Sequence, residues 1–480
     1  MRPIRIEVLT SEEKQAIHTA TVDVLDSAGF RVRDNRLRSI MRAKGAIVDD
    51  LVESVKLSPE LIKEFMSLKP RRFSLFTRSG KELPVPTMNA YIGTRLLHPW
   101  ILDYGRERPR KPEQTDIVAA CQIANYFDDF DVVFMVESPV NDFDPHPDIN
   151  LLFAIKTIVT HTKKHIYCLP INEDALLSWL KIIEAIEARY DLGERPVITV
   201  GVSPTSPLQL DGQSARVLTL AASRGLPILP ASMVGGGGTG PITIAGELVL
   251  MNAEALFIII AAQMIHPGCP CFYGGIPATM DMRTGIMSGG SPELAPMTTA
   301  SLEMGRFYDL PLFSATKYTD TFISFDEQHG VEKVMAAFAA LAGGTDVLYG
   351  CGDADLGTVL SLEQMIIDLD IILTAKRFVE GIIIDRDHLA VETICRVGPG
   401  GHFLVDPHTM KFLRSDERFS PRTYNRMGKR CSAKPQFEKA HEIVDVILKQ
   451  EIEPQIDTLT SDRLDHAVAE RLDELRANHC

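Results

Sequence analysis

The sequence predicts an α/β protein built on a TIM (β/α)8 barrel, with a helical cap before the barrel and a helical extension after it. Short apolar runs recur at intervals of about 30 to 45 residues, and a helix-length segment follows each of them. The runs are apolar throughout, which is typical of parallel strands that are buried on both faces. Eight runs are expected to form the barrel strands: residues 90–93, 132–136, 166–169, 197–202, 227–233, 271–274, 311–315 and 346–349.

The segments between these runs supply the outer helices. Eight helices alternating with eight strands match the element order of the barrel. The predicted helices are residues 112–126, 147–162, 173–190, 213–225, 244–265, 292–308, 327–342 and 361–380.

The two ends of the chain differ from the repeating part. Residues 1–88 are expected to form an N-terminal helical cap, in which residues 72–77 and 82–84 form a small strand pair. Residues 89–382 then form the barrel. Residues 383–480 are expected to form a C-terminal helical extension that packs on the barrel or on a second subunit, so a homo-oligomer is expected.

Composition excludes several classes of protein. A net charge of −14 argues against a nucleic-acid binder, which would show a basic face. The most apolar stretch, residues 248–265, contains Asn252, Glu254 and Gln263, and this predicts a buried helix rather than a membrane span. The first residues lack the pattern of a signal peptide, and the eight cysteines lack zinc-ribbon spacing. We therefore expect a cytoplasmic protein with reduced thiols and no membrane contact.

A glycine run is the most informative local feature. Gly235, Gly236, Gly237 and Gly238 lie between an apolar strand and the long helix at residues 244–265. Glycines let a backbone approach a ligand or a partner closely. The spacings of a P-loop or a dinucleotide fingerprint are absent, so the run does not predict a nucleotide site.

Reactive groups of a barrel come from the carboxyl ends of its strands. The sequence places few titratable pairs there, and no His, Cys and Glu set has the spacing of a metal site. We therefore assign no catalytic acid or base and no metal. The residues that follow the strands are Glu137-Ser138, Asn172, residues 203–205, residues 235–240, Gly274-Gly275, residues 281–285, residues 317–320 and residues 351–353.

Several motifs, in order, resemble the trimethylamine:corrinoid methyltransferase superfamily. They include residues 238–246, 252–254, 266–268, 281–285, 290–293 and 326–328, and the resemblance spans about residues 91–397. It implies a TIM barrel that passes a methyl group from a methylamine to the cobalt of a separate corrinoid protein. No tightly bound cofactor is implied, since the corrinoid, on a partner or free, is the methyl acceptor.

One departure from the family concerns the substrate. Trimethylamine members carry pyrrolysine, which would fall near residues 317–321, but only ordinary residues are present there. Members without pyrrolysine resemble glycine betaine methyltransferases. We therefore expect a quaternary amine, glycine betaine or a related betaine.

A quaternary ammonium group donates no hydrogen bonds and is held over aromatic faces. The expected substrate-binding residues include aromatic rings near the first and seventh strands, which would hold the cation. The others would contact a substrate carboxylate or line the pocket. The full set is Tyr91, Trp100, Lys317, Tyr318, Phe322, His329 and Cys351.

The glycine-rich strand ends are expected to receive the corrinoid protein. Gly235, Gly236, Gly237, Gly238, Gly274 and Gly275 form this predicted docking set.

Three alternatives remain open. A trimethylamine-type methyltransferase would use the same barrel. A lyase or aldolase would need a Schiff-base lysine, for which Lys317 is the candidate. A non-catalytic protein that binds quaternary amines would keep the aromatic cage without turnover.

Overall fold

The computed structural model describes residues 4–187, 194–316, 319–321, 326–415, 417–426, 434–451 and 454–478. Eight parallel strands form the barrel, as the sequence predicts. They are β6 (Tyr91–Leu97), β8 (Phe130–Val136), β9 (His165–Leu169), β10 (Ile198–Val202), β12 (Ile228–Pro230), β14 (Tyr273–Gly274), β17 (Leu312–Ala315) and β18 (Val347–Cys351).

The barrel closes in chain order. The last strand, β18, pairs with the first, β6, so that Val347 lies beside Tyr91. A parallel bridge between Ile228 and Cys271 joins the two sides where β12 meets β14. Because all these pairs are parallel, the carboxyl ends of the strands meet at one end of the barrel, which we call the mouth.

Each barrel strand is followed by one of the predicted helices, with shifts of a few residues at the ends. The helices are α4 (Gln114–Tyr126), α5 (Pro147–His161), α6 (Glu173–Ile186), α7 (Gly212–Ser223), α8 (Ile244–Ile265), α9 (Leu294–Phe307), α10 (Glu327–Gly343) and α11 (Leu362–Glu380). Side-chain caps begin several of them. Asn172 accepts from Ala175 N, and Asp326 accepts from His329 N.

Helix α8 is the central helix of the core. It is long and apolar enough to cross a membrane, but 89% of its most apolar window is buried inside the protein. The Phe257 ring stacks on Phe30 with the ring centres 4.1 Å apart. The prediction of a buried helix is therefore confirmed.

The region before the barrel contains more strands than expected. Its elements are α1 (Ser11–Ser27), β1 (Phe30–Val32), α2 (Asn35–Ala43), β2 (Ile47–Asp49), β3 (Ser54–Lys56), α3 (Pro59–Leu68), β4 (Phe73–Phe76) and β5 (Glu82–Val85). The sequence does not predict β1, β2 and β3, because strands of three residues are too short to show an alternating pattern. The strand pair expected here is the antiparallel hairpin of β4 and β5.

The barrel interior is filled by aromatic rings. Phe134 stacks on Tyr349 with ring centres 4.0 Å apart, and on Tyr167 at 4.5 Å. Leu75 and Leu83 of the β4–β5 hairpin belong to the same buried cluster. The hairpin therefore covers the amino-terminal end of the barrel, and the mouth is the end at which a ligand can enter.

Short strands extend the loops at the mouth. They are β7 (Trp100–Ile101), β11 (Gln209–Leu210), β13 (Gly235–Gly236), β15 (Ala278–Asp281), β16 (Ile286–Ser288), β19 (Asp353–Ala354) and β20 (Val359–Leu360). Strands β13, β15 and β16 form one small sheet, and β19, β20 and β7 form another.

The chain after the barrel is helical. Its elements are α12 (Arg386–Leu389), α13 (Val391–Val397), α14 (Pro407–Phe412), α15 (Gln436–Leu448) and α16 (Thr458–Asn478). Helix α15 packs on α4 and α11, whereas α16 packs on α5 and α6.

Candidate active site at the barrel mouth

The glycine run forms a tight turn on one side of the mouth. The carbonyl of Gly235 accepts from the amides of Gly238, Thr239 and Gly240 at 3.0 to 3.1 Å. Gly237 has a φ of +91°, a conformation that side chains rarely adopt. The turn is thus a defined structure rather than a loose surface loop.

A buried carboxylate supports this turn from below. A Cβ atom at Gly236 would lie 2.2 Å from Glu247 Oε2, so a larger residue there would displace the Glu247 carboxylate. Burial raises the pKa of Glu247 to about 7, and hydrogen bonds from the Gly236 and Ala278 backbones oppose that shift. Glu247 is therefore a structural support for the turn.

The predicted docking glycines do not all face outward. Gly235, Gly236 and Gly274 are buried, and a Cβ at Gly275 would meet Met251 of α8. Gly238 is exposed.

Apolar side chains that were not expected from the sequence surround this turn. Ile242, Met282 and Ile286 are 60–70% exposed, and Met233 and Ile244 are 40% exposed. We call these five residues the apolar rim. Met233, Ile242 and Ile244 flank the glycine run in sequence, so part of the signal was present, but Met282 and Ile286 come from a distant loop.

A buried charged cluster lies at the opposite side of the mouth. His98 Nε2 is 2.6 Å from Asp353 Oδ1, and Arg95 Nε is 3.7 Å from Asp353 Oδ2. Burial raises the pKa of Asp353, but the charges of Arg95 and His98 outweigh it and hold that pKa at about 2. The Arg95 guanidinium lies 5.9 Å from the centre of the Tyr349 ring. The buried pair of Arg95 and Asp353 therefore lies next to the aromatic rings of the barrel interior.

A second buried cluster holds the loop after β18. Lys333 Nζ is 2.9 Å from Asp368 Oδ2 and donates to the carbonyl of Gly350 at 2.7 Å. The Gly352 amide donates to the same carboxylate at 2.9 Å. Burial raises the pKa of Asp368, but Lys333 and His329 outweigh it and the pKa lies below its ordinary value.

His329, predicted to meet a substrate carboxylate, belongs to this second cluster. It is 2% exposed, and its Nε2 is 3.5 Å from Asp368 Oδ1. Its Nδ1 lies 3.2 Å from Thr321 Oγ1. His329 therefore contacts the last residue of the segment, residues 317–321, in which the family resemblance places pyrrolysine.

Asp320 anchors the same segment to a neighbouring loop. Its carboxylate accepts from the amides of Gly289 and Gly290 at 2.7 and 3.2 Å. The Asp320 amide donates to Glu332 Oε2 at 2.9 Å. A cavity of about 130 Å³ lies beside these contacts, between β17, α9 and α10.

The other predicted substrate-binding residues have different positions. Tyr91 begins β6 at the amino-terminal end of the barrel, and its hydroxyl donates to Pro84 O at 3.2 Å, so it lies at the wrong end for the mouth. Trp100 lies in the mouth sheet, but Lys111 Nζ is 3.7 Å from the centre of its ring. Cys351 is fully buried in the main core, and burial raises the pKa of its thiol well above its ordinary value. Lys317, Tyr318 and Phe322 lie outside the described residues.

Glu137 directly follows β8 at the mouth end. Its Oε2 accepts from Ile171 N at 3.1 Å, while its buried Oε1 has no hydrogen-bond partner among the residues that the structure describes. Burial raises the pKa of Glu137 to about 8. Within the described ranges, no group of three His, Cys, Asp or Glu side chains could hold a metal ion.

Glu137 predicts a specific pH dependence of stability. Its pKa is raised in the folded protein, so its contribution is fully present below about pH 4.5 and is lost as the pH rises towards 8. Glu137→Gln cannot ionise and should gain stability over the wild type across that window, by about 1–3 kcal/mol at the upper end. Melting curves of both proteins from pH 5 to 9 test this, with Glu64→Gln on the exposed face of α3 as the control. A difference that does not grow with pH would contradict it.

Comparison with known proteins gives a consistent family. The family model for trimethylamine methyltransferase (MTTB) matches residues 2–476. The chain is 30% identical to trimethylamine methyltransferase MttB of Methanosarcina thermophila over 473 residues, covering 94% of this chain and 95% of that protein. It is 28% identical to a glycine betaine methyltransferase of Desulfitobacterium hafniense, covering 97% of both.

A solved structure agrees on the fold. The monomethylamine methyltransferase MtmB of Methanosarcina barkeri superposes with a TM-score of 0.51 at 12% identity, covering 96% of this chain and 92% of that one. At this identity the likeness concerns the fold alone. The family match, however, extends over almost the whole sequence, and the chain therefore belongs to the trimethylamine methyltransferase (MTTB) family.

Proposed function

We propose that this chain moves a methyl group from a quaternary amine, glycine betaine or a related betaine, to the Co(I) of a corrinoid protein. The observation that carries the proposal is that its 480 residues include no pyrrolysine, and that residues 317–321 are ordinary amino acids. The similarity to a glycine betaine methyltransferase along the whole chain supports it. With α8 buried in the protein, we expect the reaction to take place in the cytoplasm.

The reaction needs no proton transfer. The bond between nitrogen and the methyl carbon breaks, and its electron pair stays on nitrogen, which leaves as a neutral tertiary amine. The methyl carbon receives its new bond from the electron pair of the reduced cobalt, which is oxidised from Co(I) to Co(III). The protein's task is therefore to position the methyl group in line and to exclude water.

The described part of the mouth suits such a reaction. Its buried Asp353 is paired with Arg95 and its buried Asp368 with Lys333, while the Glu137 carboxyl, whose pKa is raised to about 8, is mostly uncharged at pH 7. Paired groups of this kind fix loops rather than exchange protons with a substrate. The stacked Phe134 and Tyr349 rings fill the barrel below them and keep water away from that side.

We assign the cation to the segment after β17. Tyr318 and Phe322 are the proposed aromatic faces, with Trp100 at the edge of the mouth, and Lys317 is the proposed contact for a betaine carboxylate. The burial of His329 and its contact with Thr321 make it a positioning residue for this segment. Tyr91 and Cys351 are left out of the proposed site.

A methyl-transfer assay tests the proposed function. The purified chain is mixed with a reduced corrinoid protein and a panel of methylated amines, and methylated cobalt is followed by its absorbance. We expect transfer from at least one betaine and none above background from trimethylamine. Turnover of trimethylamine with no response to any betaine would support the trimethylamine-type alternative. Betaine binding without any transfer would support a binding protein.

Tyr318→Ala tests the proposed cation site. Loss of one aromatic face in a desolvated site should raise the dissociation constant of the betaine by roughly three- to thirty-fold, since such a contact contributes about 0.5–2 kcal/mol. Titration calorimetry measures the affinity, and thermal melting checks the fold. Tyr126→Ala, at the half-exposed end of α4 away from the mouth, is the matched control. An unchanged affinity together with a large loss of melting temperature would show that Tyr318 stabilises the fold and does not bind the substrate.

A further inference from the structure

The loop after β18 contains a strained turn at residues 355–357, which we call the left-handed turn. Asp355, Leu356 and Gly357 have φ values of +49°, +54° and +75°. This conformation is easy for glycine but costly for other residues, which adopt it one at a time. No other pair of adjacent non-glycine residues has a positive φ in the part of the chain that the structure describes. Such strain persists only where the surrounding structure enforces it, and it concentrates at functional sites.

The left-handed turn is fastened to the barrel. Thr358 N donates to Asp355 O at 3.0 Å and closes the turn, and Thr358 Oγ1 donates to the Asp355 carboxylate at 2.8 Å. Arg95 Nη1 donates to Gly357 O at 2.7 Å. Because Arg95 also pairs with the buried Asp353, the contacts that enforce the strained conformation are themselves fixed.

The left-handed turn uses its free amides to hold the chain that follows β17. The first amides of a single helical turn have no partner within that turn. Here Leu356 N donates to Thr319 O at 2.9 Å, and Asp355 N donates to Thr321 O at 3.0 Å. Thr319 and Thr321 are buried, so their carbonyls need partners within the protein. The left-handed turn therefore fixes residues 319–321 through their backbone.

The left-handed turn adjoins both places to which we assign the cation. Trp100 N donates to Thr358 O at 3.2 Å, where the chain leaves the turn. Tyr318 directly precedes Thr319 in the sequence. A change in the turn would therefore displace the chain next to both of these aromatic residues.

We propose that the left-handed turn is a positioning element for the substrate, which holds residues 319–321 in the arrangement that binds the cation. The inference rests on the proposed function, because that function assigns the cation to this segment. Leu356 is then a positioning residue, which acts through residues 319–321 rather than on the substrate. If the turn relaxes, the binding arrangement is populated only in part, and the apparent dissociation constant rises by the inverse of that fraction.

Leu356→Val tests the proposal. A β-branched side chain disfavours a positive φ more strongly than leucine does, so the turn should relax. We expect the dissociation constant of glycine betaine, measured by titration calorimetry, to rise at least about tenfold. Leu356→Gly removes the whole side chain but accepts the same φ, so its dissociation constant should stay within about threefold of the wild type. An equal loss of affinity in both variants would overturn the proposal, because it would show that the leucine side chain is needed and the conformation of the turn is not.

Asp309→Val is the matched control. Asp309 has a φ of +53° between α9 and β17, at the end of the barrel opposite the mouth, so valine there introduces a similar backbone strain far from the substrate. It should lower the melting temperature about as much as Leu356→Val does, while the affinity for glycine betaine stays that of the wild type. If both valine variants lose affinity equally, the strain acts through general stability and the proposal is overturned.

Hydrogen exchange tests the left-handed turn without any substrate. Leu356→Val is compared with the milder Thr358→Val, which removes the hydroxyl that donates to Asp355. In both, peptides that contain residues 319–321 should exchange at least about threefold faster than in the wild type, whereas Asp309→Val should leave their exchange unchanged. Unchanged exchange in both variants of the turn overturns the proposal.

The two measurements keep this proposal separate from the proposed function. A wild type that binds trimethylamine and not glycine betaine contradicts the proposed function, and the affinity test is then made with trimethylamine. Faster exchange at residues 319–321 together with a tenfold weaker affinity supports the positioning role for either substrate. Faster exchange with an unchanged affinity overturns it.

Discussion

Asp368→Asn is expected to destabilise the protein by about 3–5 kcal/mol, because it leaves a buried lysine charge without its counter-ion. Lys333 is 1% exposed, and its ammonium would keep the Gly350 carbonyl as its contact. The Gly352 amide would keep only a neutral acceptor. Urea unfolding of the purified variant measures the loss.

Two further variants show whether the buried charge is responsible. Asp465→Asn removes an exposed partner of Lys156 and should cost under about 1 kcal/mol. The double variant Lys333→Met, Asp368→Asn should recover part of the stability, since neither charge then remains. A loss for Asp368→Asn no greater than that of Asp465→Asn would contradict the importance of the buried pair.

The barrel could be predicted because its strands are buried on both faces. An apolar run bounded by turns is a strong local signal, and helix α8 begins and ends where its apolar pattern does. Strand β6 is longer than the sequence predicts. It extends to Leu97, but Thr94 and Arg95 interrupt its apolar run, so the sequence predicts only residues 90–93.

The candidate site was less predictable because it depends on contacts between distant residues. Lys333 and Asp368 are 35 positions apart, and Arg95 and Asp353 are 258 apart, so no local spacing indicates either pair. The sequence shows that Asp353 and Glu137 follow strands, but it does not show that they are buried. Tyr91 was misplaced for a related reason. An aromatic residue near a strand does not show from sequence at which end of the strand it lies.

Gly237→Val should lower methyl transfer to the corrinoid protein at least about tenfold while the betaine affinity changes less than about threefold. A Cβ atom there would lie 2.8 Å from Met282 Sδ, and Ile242 is the next neighbour. Both belong to the apolar rim. The φ of +91° adds backbone strain of about 1–2 kcal/mol. The turn should therefore shift together with the surface on which we expect the partner to dock.

Comparing transfer to the corrinoid protein with transfer to free cobalamin shows whether the turn serves docking or the reaction itself. Free reduced cobalamin does not need the protein–protein surface, so Gly237→Val should transfer to it at close to the wild-type rate. Gly268→Val is the matched control. Gly268 has a φ of +88° with no atom within 4 Å of its Cβ position, and it precedes β14 at the end opposite the mouth. It carries the same backbone strain and should not affect transfer to either acceptor.

If Gly237→Val slows transfer to both acceptors equally, the turn serves the reaction itself. If it slows neither, the glycine turn is not the docking surface, and the corrinoid protein must approach the mouth from the side of Trp100 and Asp353.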